Sequence, residues 1–540
     1  MRRQLAFSAV LALLVSAAGV QAAAGSPPGH QAAAKHGKPP QITNLVVIYQ
    51  ENHSFDNLFG SWGKVGGQQV DGLASATAQH ATQVAQDGTA YGCLLQDDVN
   101  LTSPPLDGWC HDPAHSVPSS SFANGPFSID DFIGPADTTC PAPGVFAPNG
   151  VLKGTGLPGG CTRDLVHRFY QEQYQINGGM QNRYVTASDS FGLTMGHYDT
   201  TSLPIYRYLH SKAAPNYVVA DRFFQGAFGG SFLNHQYLIA ARAPVDTSGG
   251  AFGGAAHSVI DSNGMPTSYL PLYTAGPGVV DGQLTQVCDN GAPTDFSQAC
   301  GNYAVNTVQP ASPPFGNGAK IPLIDDTQYP NIGDRMSAAH ISWAWYSGGW
   351  ADAEAGHPGP LFQFHHQPFN YFAAYAPGQP GRAHLKDETQ FIKAAKRGTL
   401  PTVSFVKPYG AENEHPGYAS EPNGSDHLVD LLRAVEKGPQ AKHTLVVVTY
   451  DEFGGQWDHV SPPGMGSTVG VHDAFGPSTR IPALVLSAAF TRSGVDHTVY
   501  DTTSIMASIE RRLGLRPVSE RDARVADLAP ALAVGGLRSP

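Results

Sequence analysis

Leu45-Val46-Val47-Ile48-Tyr49-Gln50-Glu51-Asn52 and Thr444-Leu445-Val446-Val447-Val448-Thr449-Tyr450-Asp451-Glu452 carry one pattern at opposite ends of the chain. Each is a short run of apolar and β-branched residues that stops at polar and acidic ones. A run without alternation reads as a strand buried on both faces, the kind found in parallel sheets. In open α/β sheets ligands sit beyond the carboxyl ends of the strands, so Glu51-Asn52 and Asp451-Glu452 are expected to converge on one site. Further strands are expected at 217–220, 340–346, 402–406 and 483–486, and helices at 203–210, 386–395, 426–437 and 504–513, where apolar residues recur at three- and four-residue spacing. Strands alternating with helices predict an α/β fold, a central and mostly parallel sheet covered by helices on both faces.

Composition narrows the class. Of 540 residues, 41% are hydrophobic and only 14% charged, which excludes a charge-driven disordered chain and a coiled coil. The 61 glycines and 43 prolines predict long irregular connections, concentrated in insertions near 61–160 and 245–335. A net charge of -12 without a long basic run argues against sequence-independent nucleic-acid binding, which needs dense phosphate neutralisation. A phosphate ester held by a metal stays compatible with it.

Residues 1–24 read as a cleaved signal peptide: Arg2-Arg3, an apolar run from Leu5 to Val20, then Gln21-Ala22-Ala23-Ala24. That run is shorter than the ~20 apolar residues needed to span a bilayer, and no later stretch is long and apolar enough. Residues 25–41 read as a disordered lead-in, and the mature protein is expected to be secreted or periplasmic. Six cysteines fit an oxidising compartment, and their order suggests pairs 93–110, 140–161 and 288–300, one of 15 connectivities.

Three clusters can carry chemistry. Glu51, Asn52, Asp451 and Glu452 offer hard oxygen ligands suited to Mg²⁺, Ca²⁺ or Mn²⁺; a turn with helix caps explains the first pair as well. Burying two adjacent carboxylates costs several kcal/mol unless a cation compensates. In Phe228-Gly229-Gly230-Ser231-Phe232-Leu233-Asn234-His235, two glycines let the backbone turn sharply and expose Ser231, a nucleophile once a base or metal activates it. Histidines in Pro-rich loops (His111, His115, His365, His366, His415) are candidates for donors to phosphoryl oxygens and for the acid of a leaving group.

Glu51-Asn52-His53-Ser54-Phe55-Asp56, Gly229-Gly230-Ser231-Phe232-Leu233-Asn234, Glu414-His415-Pro416, Tyr450-Asp451-Glu452-Phe453-Gly454-Gly455 with Asp458-His459-Val460, and His497-Thr498-Val499-Tyr500-Asp501-Thr502-Thr503-Ser504-Ile505 together resemble the bacterial acid phosphatase and phospholipase C phosphoesterase family. The resemblance implies an alkaline phosphatase-like sandwich, one phosphoesterase domain over 42–540, and one divalent metal ion, its identity open among Ca, Mg, Mn, Zn and Fe. Its ligands would be Glu51, Asn52, Ser231, Asp451 and Glu452. The same resemblance implies Ser231 as nucleophile, His415 or His366 as acid, and His115, Asn234, His365 and His459 in the substrate pocket. Serine at 231 resembles the acid phosphatases, whereas many of the phospholipases have threonine there. The short stretch after the 504–513 helix likewise suggests the phosphatases. The expectation is therefore a phosphomonoesterase acting through a phosphoserine, with a compact phospholipase C acting on phosphatidylcholine-type lipids, or a non-catalytic binding protein on the same fold, as alternatives.

Overall fold

The structure is a computed structural model that describes residues 41–95, 108–134, 162, 164–188, 190–248, 282–285 and 299–537. The signal-peptide reading, the lead-in up to residue 40 and the 140–161 pairing lie outside the described residues, as does Cys288 of the third pair. The first pair is present as a disulfide between Cys93 and Cys110.

Eight strands make the central sheet: β1 Asn44–Gln50, β2 Tyr217–Ala220, β3 Trp343–Ser347, β4 Leu385–Asp387, β5 Val403–Lys407, β6 Thr444–Tyr450, β7 Ala483–Leu486 and β8 Gly494–Asp496. Their order across the sheet is β4-β3-β5-β1-β6-β7-β2-β8. Only β7 runs against the rest, pairing antiparallel with β6 and β2. β1 and β6, from opposite ends of the chain, lie side by side at the centre, in parallel register from Asn44↔Thr444 to Gln50↔Tyr450. Every residue of both is buried. Because successive side chains point to opposite faces, complete burial means that both faces are covered, and this is why the two runs carry no alternation.

The helices that frame the site are α1 Phe55–Phe59, α2 Phe169–Ile176, α3 Pro204–Leu209, α4 Ser231–Ala240, α5 Glu388–Arg397, α6 Glu421–Glu436 and α7 Thr503–Leu513. Several expected boundaries move: the strand expected at 340–346 runs Trp343–Ser347, and the helices expected at 203–210 and 504–513 run Pro204–Leu209 and Thr503–Leu513. The helix expected at 386–395 starts at Glu388, because Lys386 and Asp387 pair with β3 and Asp387 caps the helix by accepting from Thr389 N–H. That expected at 426–437 starts five residues earlier, since Ser420 accepts from Asn423 N–H and Pro422 sits in the first turn, where its missing N–H is harmless. The strand expected at 402–406 runs to Lys407. Among the described residues, no helix is long and apolar enough to cross a membrane.

Candidate active site

Parallel register delivers the site. Since Gln50 faces Tyr450, the chain leaves β1 and β6 together, and Asp451 N–H donates to Gln50 O at 3.1 Å. Asn52 takes a left-handed backbone, φ 58°, a conformation asparagine tolerates better than most residues, and its N–H donates to Asp451 Oδ1 at 3.1 Å. Glu51, Asn52, Asp451 and Glu452 are all fully buried. The two strand ends thus meet as the sequence pattern predicts.

Ser231 is the first residue of α4, the positive end of a ten-residue helix. Gly229 before it has φ +84°, and a Cβ there would meet the Phe169 backbone at 2.8 Å, so the turn requires glycine. Ser231 Oγ lies 3.3 Å from Glu51 Oε2, 3.5 Å from Asn52 Oδ1 and 3.2 Å from Glu452 Oε1. One hydroxyl proton cannot serve three acceptors, and all three separations are long for an O–H···O bond. Ser231 Oγ therefore stands close to three other oxygens at once.

The charge distribution fits a cation beside these oxygens. Burial, then repulsion from Glu51, pushes the Asp451 carboxyl up; burial, then Asp451, does the same to Glu452. Burial also opposes ionisation of Glu51, but His366 and Lys407 override it and hold Glu51 low. Asp451 Oδ2 has no hydrogen-bond partner. Three buried carboxylates, an amide oxygen and a hydroxyl make a hard, oxygen-rich donor set for a divalent ion.

A cavity of about 310 Å³ opens over Ser231, with His167, Arg168, Asn306, Gln363, His365, His366, His415 and Tyr418 in its wall. His415 Nδ1 donates to Pro416 O at 2.7 Å, which leaves Nε2 to accept from the Asn52 amide at 3.1 Å, and its ring stacks on Tyr418. His366 Nε2 is 2.9 Å from Glu51 Oε1; burial dominates its environment and holds the ring down to about 4, neutral at ordinary pH. His365 stands edge-on to His366 and is held well below its usual value, by burial first.

Three expected pocket residues lie elsewhere. Asn234 donates to the carbonyls of Ala227, Gly229 and Gly230 and accepts from Ala227 N–H, so it braces the turn before Ser231 from behind. His115 bonds Asp112 at 2.6 Å and Thr89 at 2.8 Å, with its ring against Tyr91, inside the Cys-bridged insertion. His459 is 2.5 Å from Asp56 Oδ2 in a network where Arg480 bonds Asp56 at 3.0 Å and Asp458 at 3.1 Å. The guanidinium takes the place a metal would have between those carboxylates.

Sequence reasoning missed His167, whose Nε2 lies 3.2 Å from Glu452 Oε1, and the buried Lys407, in contact with Glu51 Oε1. It also missed Glu172 of α2. That carboxylate accepts from Gly229 N–H at 2.6 Å, Thr479 Oγ1 at 2.7 Å and Gln225 Nε2 at 3.1 Å, while Gln225 Oε1 accepts from Phe453 N–H at 2.9 Å. Two buried side chains, Glu172 and Gln225, therefore join the turn before Ser231 to the segment after Glu452. Lys407 was accessible to the same strand-end rule that found Glu51 and Asp451; His167, in an irregular stretch beyond the cysteines, carried no signal.

A family model described as "Phosphoesterase family" matches residues 42–516. Phospholipase C B of Mycobacterium tuberculosis (strain ATCC 25618 / H37Rv) is 23% identical over 542 residues, covering 94% of this chain and 78% of its own. A non-hemolytic phospholipase C of Burkholderia pseudomallei (strain K96243) is 30% identical over 227 residues, 35% of this chain and 30% of that protein. Among solved structures, a protein in the alkaline phosphatase superfamily from Vibrio parahaemolyticus is similar at 12% identity and a TM-score of 0.22, over 37% of this chain and 52% of its own.

Proposed function

We propose, from the premise that the chain belongs to the phosphoesterase family, that this hydrolase of phosphoric esters is a phospholipase C, which cleaves a phospholipid between diacylglycerol and the phosphorylated head group. The observation that carries the reading is Ser231 Oγ, at the floor of a histidine-walled cavity and 3.2–3.5 Å from Glu51, Asn52 and Glu452 oxygens. The expectation of a phosphomonoesterase yields to its alternative because the relatives that span most of the chain carry the name phospholipase C. Serine is as competent a hydroxyl nucleophile as threonine, so residue 231 does not decide the substrate. The phosphoesterase unit starts near residue 42, with the segments near 61–160 and 245–335 as insertions. The Cys93–Cys110 disulfide supports export to an oxidising compartment behind the proposed signal peptide.

Glu51, Asn52, Ser231, Asp451 and Glu452 would hold one divalent cation. When bound it supplies Lewis acidity, lowering the pKa of the Ser231 hydroxyl and screening phosphoryl charge. The chain's own groups do the rest. Gly229 and α2 fix the turn, so Ser231 Oγ points into the cavity and attacks phosphorus in line. Its proton passes to the carboxylate oxygens beside it, Glu452 Oε1 or Glu51 Oε2. His415 Nε2, which accepts from the Asn52 amide in the free site, acts as the acid when it exchanges that amide for the departing diacylglycerol oxygen and delivers a proton to it, leaving a phosphodiester on Ser231. Neutral His415 then takes a proton from water, which attacks phosphorus opposite Oγ; the P–Oγ bond breaks, the carboxylate returns its proton to Oγ, and the phosphorylated head group leaves. Arg168 and His167 in the wall meet the non-bridging oxygens. His366, neutral through burial, is the weaker candidate for the acid.

The test is steady-state hydrolysis of dispersed phosphatidylcholine and of a phosphomonoester by the same metal-quantified protein, each repeated with Ser231→Ala. Faster Ser231-dependent release of phosphocholine supports the proposal. Faster Ser231-dependent release of phosphate from the monoester returns the reading to a phosphatase.

A further inference from the structure

The Glu51 carboxylate is shared between two neighbourhoods. Oε2 faces Ser231 at 3.3 Å, whereas Oε1 lies 2.9 Å from His366 Nε2 and in contact with the Lys407 ammonium. Behind it stands His235, in the second turn of α4, with its ring parallel to that of His366 at 5.1 Å and 2°. One ring nitrogen of His235, one of His366 and an oxygen of Glu51 all lie within 4.8 Å of one another, in a fully buried setting.

The tautomer of His235 is fixed by its neighbour. His235 Nδ1 is 2.7 Å from the Ser231 carbonyl, which can only accept, so Nδ1 carries the proton and Nε2 a lone pair. Nε2 has no hydrogen-bond partner. An imidazole anchored through one N–H to a backbone carbonyl, with the opposite nitrogen bare, is oriented in the manner of a metal ligand. Leaving that nitrogen buried and unpaired costs about 1–3 kcal/mol, a cost that a ligand to it would remove.

We propose that Glu51 Oε1, His366 and His235 form the seat of a second cation, and that in this chain the ammonium of Lys407, held on Glu51 Oε1 and leaving His235 Nε2 bare, supplies the positive charge in its place. Lys407 is the last residue of β5, fully buried beside β1, and its Nζ also donates to Gln50 O at 3.1 Å. Charge supports the assignment. Glu51, Asp451 and Glu452 bring three negative charges; one dication and one ammonium cancel them, whereas two dications beside an ammonium would leave an excess of two positive charges in a buried site. Lys407 thus restricts the site to one metal and turns one oxygen of Glu51 toward Ser231. The inference rests on the one-cation reading of the active site.

The experiment counts metal. Full-length protein, stripped and then loaded with Mn²⁺ or Zn²⁺, is titrated calorimetrically and analysed for bound metal as wild type, Lys407→Met, Lys407→Gln and the double variant Lys407→Met/His235→Ala, each after its melting temperature is checked. One additional equivalent in Lys407→Met or Lys407→Gln, lost again in the double variant, is the expected result. Equal counts in the folded variants and wild type would overturn the inference, as would an extra equivalent that survives loss of His235. Should neither variant fold, the wild type decides: one equivalent with the His235 ring nitrogens unmoved by metal in ¹⁵N spectra supports it, and a second equivalent overturns it. Zero equivalents in wild type fails the one-cation reading itself, a result distinct from the variant-minus-wild-type difference that scores this inference.

Discussion

Glu172 accepts the Gly229 backbone proton at 2.6 Å, and through that bond a side chain of α2 sets the conformation of the turn that presents Ser231. The bond is short and buried, and the carboxylate has no Lys or Arg partner among the described residues. Burial outweighs its hydrogen bonds and pushes Glu172 up to about 7.

Glu172 therefore makes stability fall with rising pH. Its folded value exceeds the unfolded one, so the native state binds more protons between about pH 4.5 and 7 and loses that advantage as pH rises through this window. In Glu172→Gln the slope contributed by this group vanishes, measured as ΔG of unfolding across pH 4–8. The amide also confronts a donor with a donor at Gly229 or Thr479, costing about 1–3 kcal/mol at low pH and lowering kcat more than it raises KM.

His459 acts in the same sense over a higher window. Burial alone would lower it, but Asp56 overrides burial and pushes it up to about 9. A group raised in this way stabilises fully below its unfolded value near 6.5, and the contribution is lost as pH climbs to about 9. Asp56→Asn should flatten the fall in stability between those limits, readable from thermal melts at pH 6, 7.5 and 9.

Arg480 is buried between Asp56 and Asp458. Arg480→Leu leaves Asp458 without its cation and Asp56 with His459 alone, and should cost about 3–5 kcal/mol, seen in denaturant unfolding. Arg480→Lys keeps the charge but not the planar fork, and an intermediate loss is expected.

His415→Ala should reduce kcat on phosphatidylcholine by about 10²–10⁴-fold. The loss should shrink sharply on a substrate whose leaving group, such as p-nitrophenolate, departs without a proton. An equal loss on both substrates would remove His415 from the acid role.

Much of this was legible in the chain, and for a definable reason. β1 and β6 announce themselves because burial on both faces removes alternation, and a parallel sheet then obliges their acidic ends to meet. Ser231 was legible because Gly229 must have a left-handed backbone. What sequence does not specify is the direction of a side chain: Asn234 and His235 are adjacent, three and four residues after Ser231, yet one faces the turn carbonyls and the other faces His366. His115 and His167 sit in similarly irregular stretches, and only tertiary packing sends His167 to Glu452 and His115 to Asp112. Glu172, a lone acid in a half-apolar helix, gains its meaning from Gly229, which folding alone brings to it.

The central claim is that Ser231 becomes covalently phosphorylated during turnover. Protein mixed with phosphatidylcholine, quenched in acid within one turnover and mapped by peptide mass spectrometry should carry the head-group phosphate on Ser231 and nowhere else, and Ser231→Ala should carry none. An unmodified Ser231 while product accumulates, or a phosphorylated residue other than Ser231, would contradict the account.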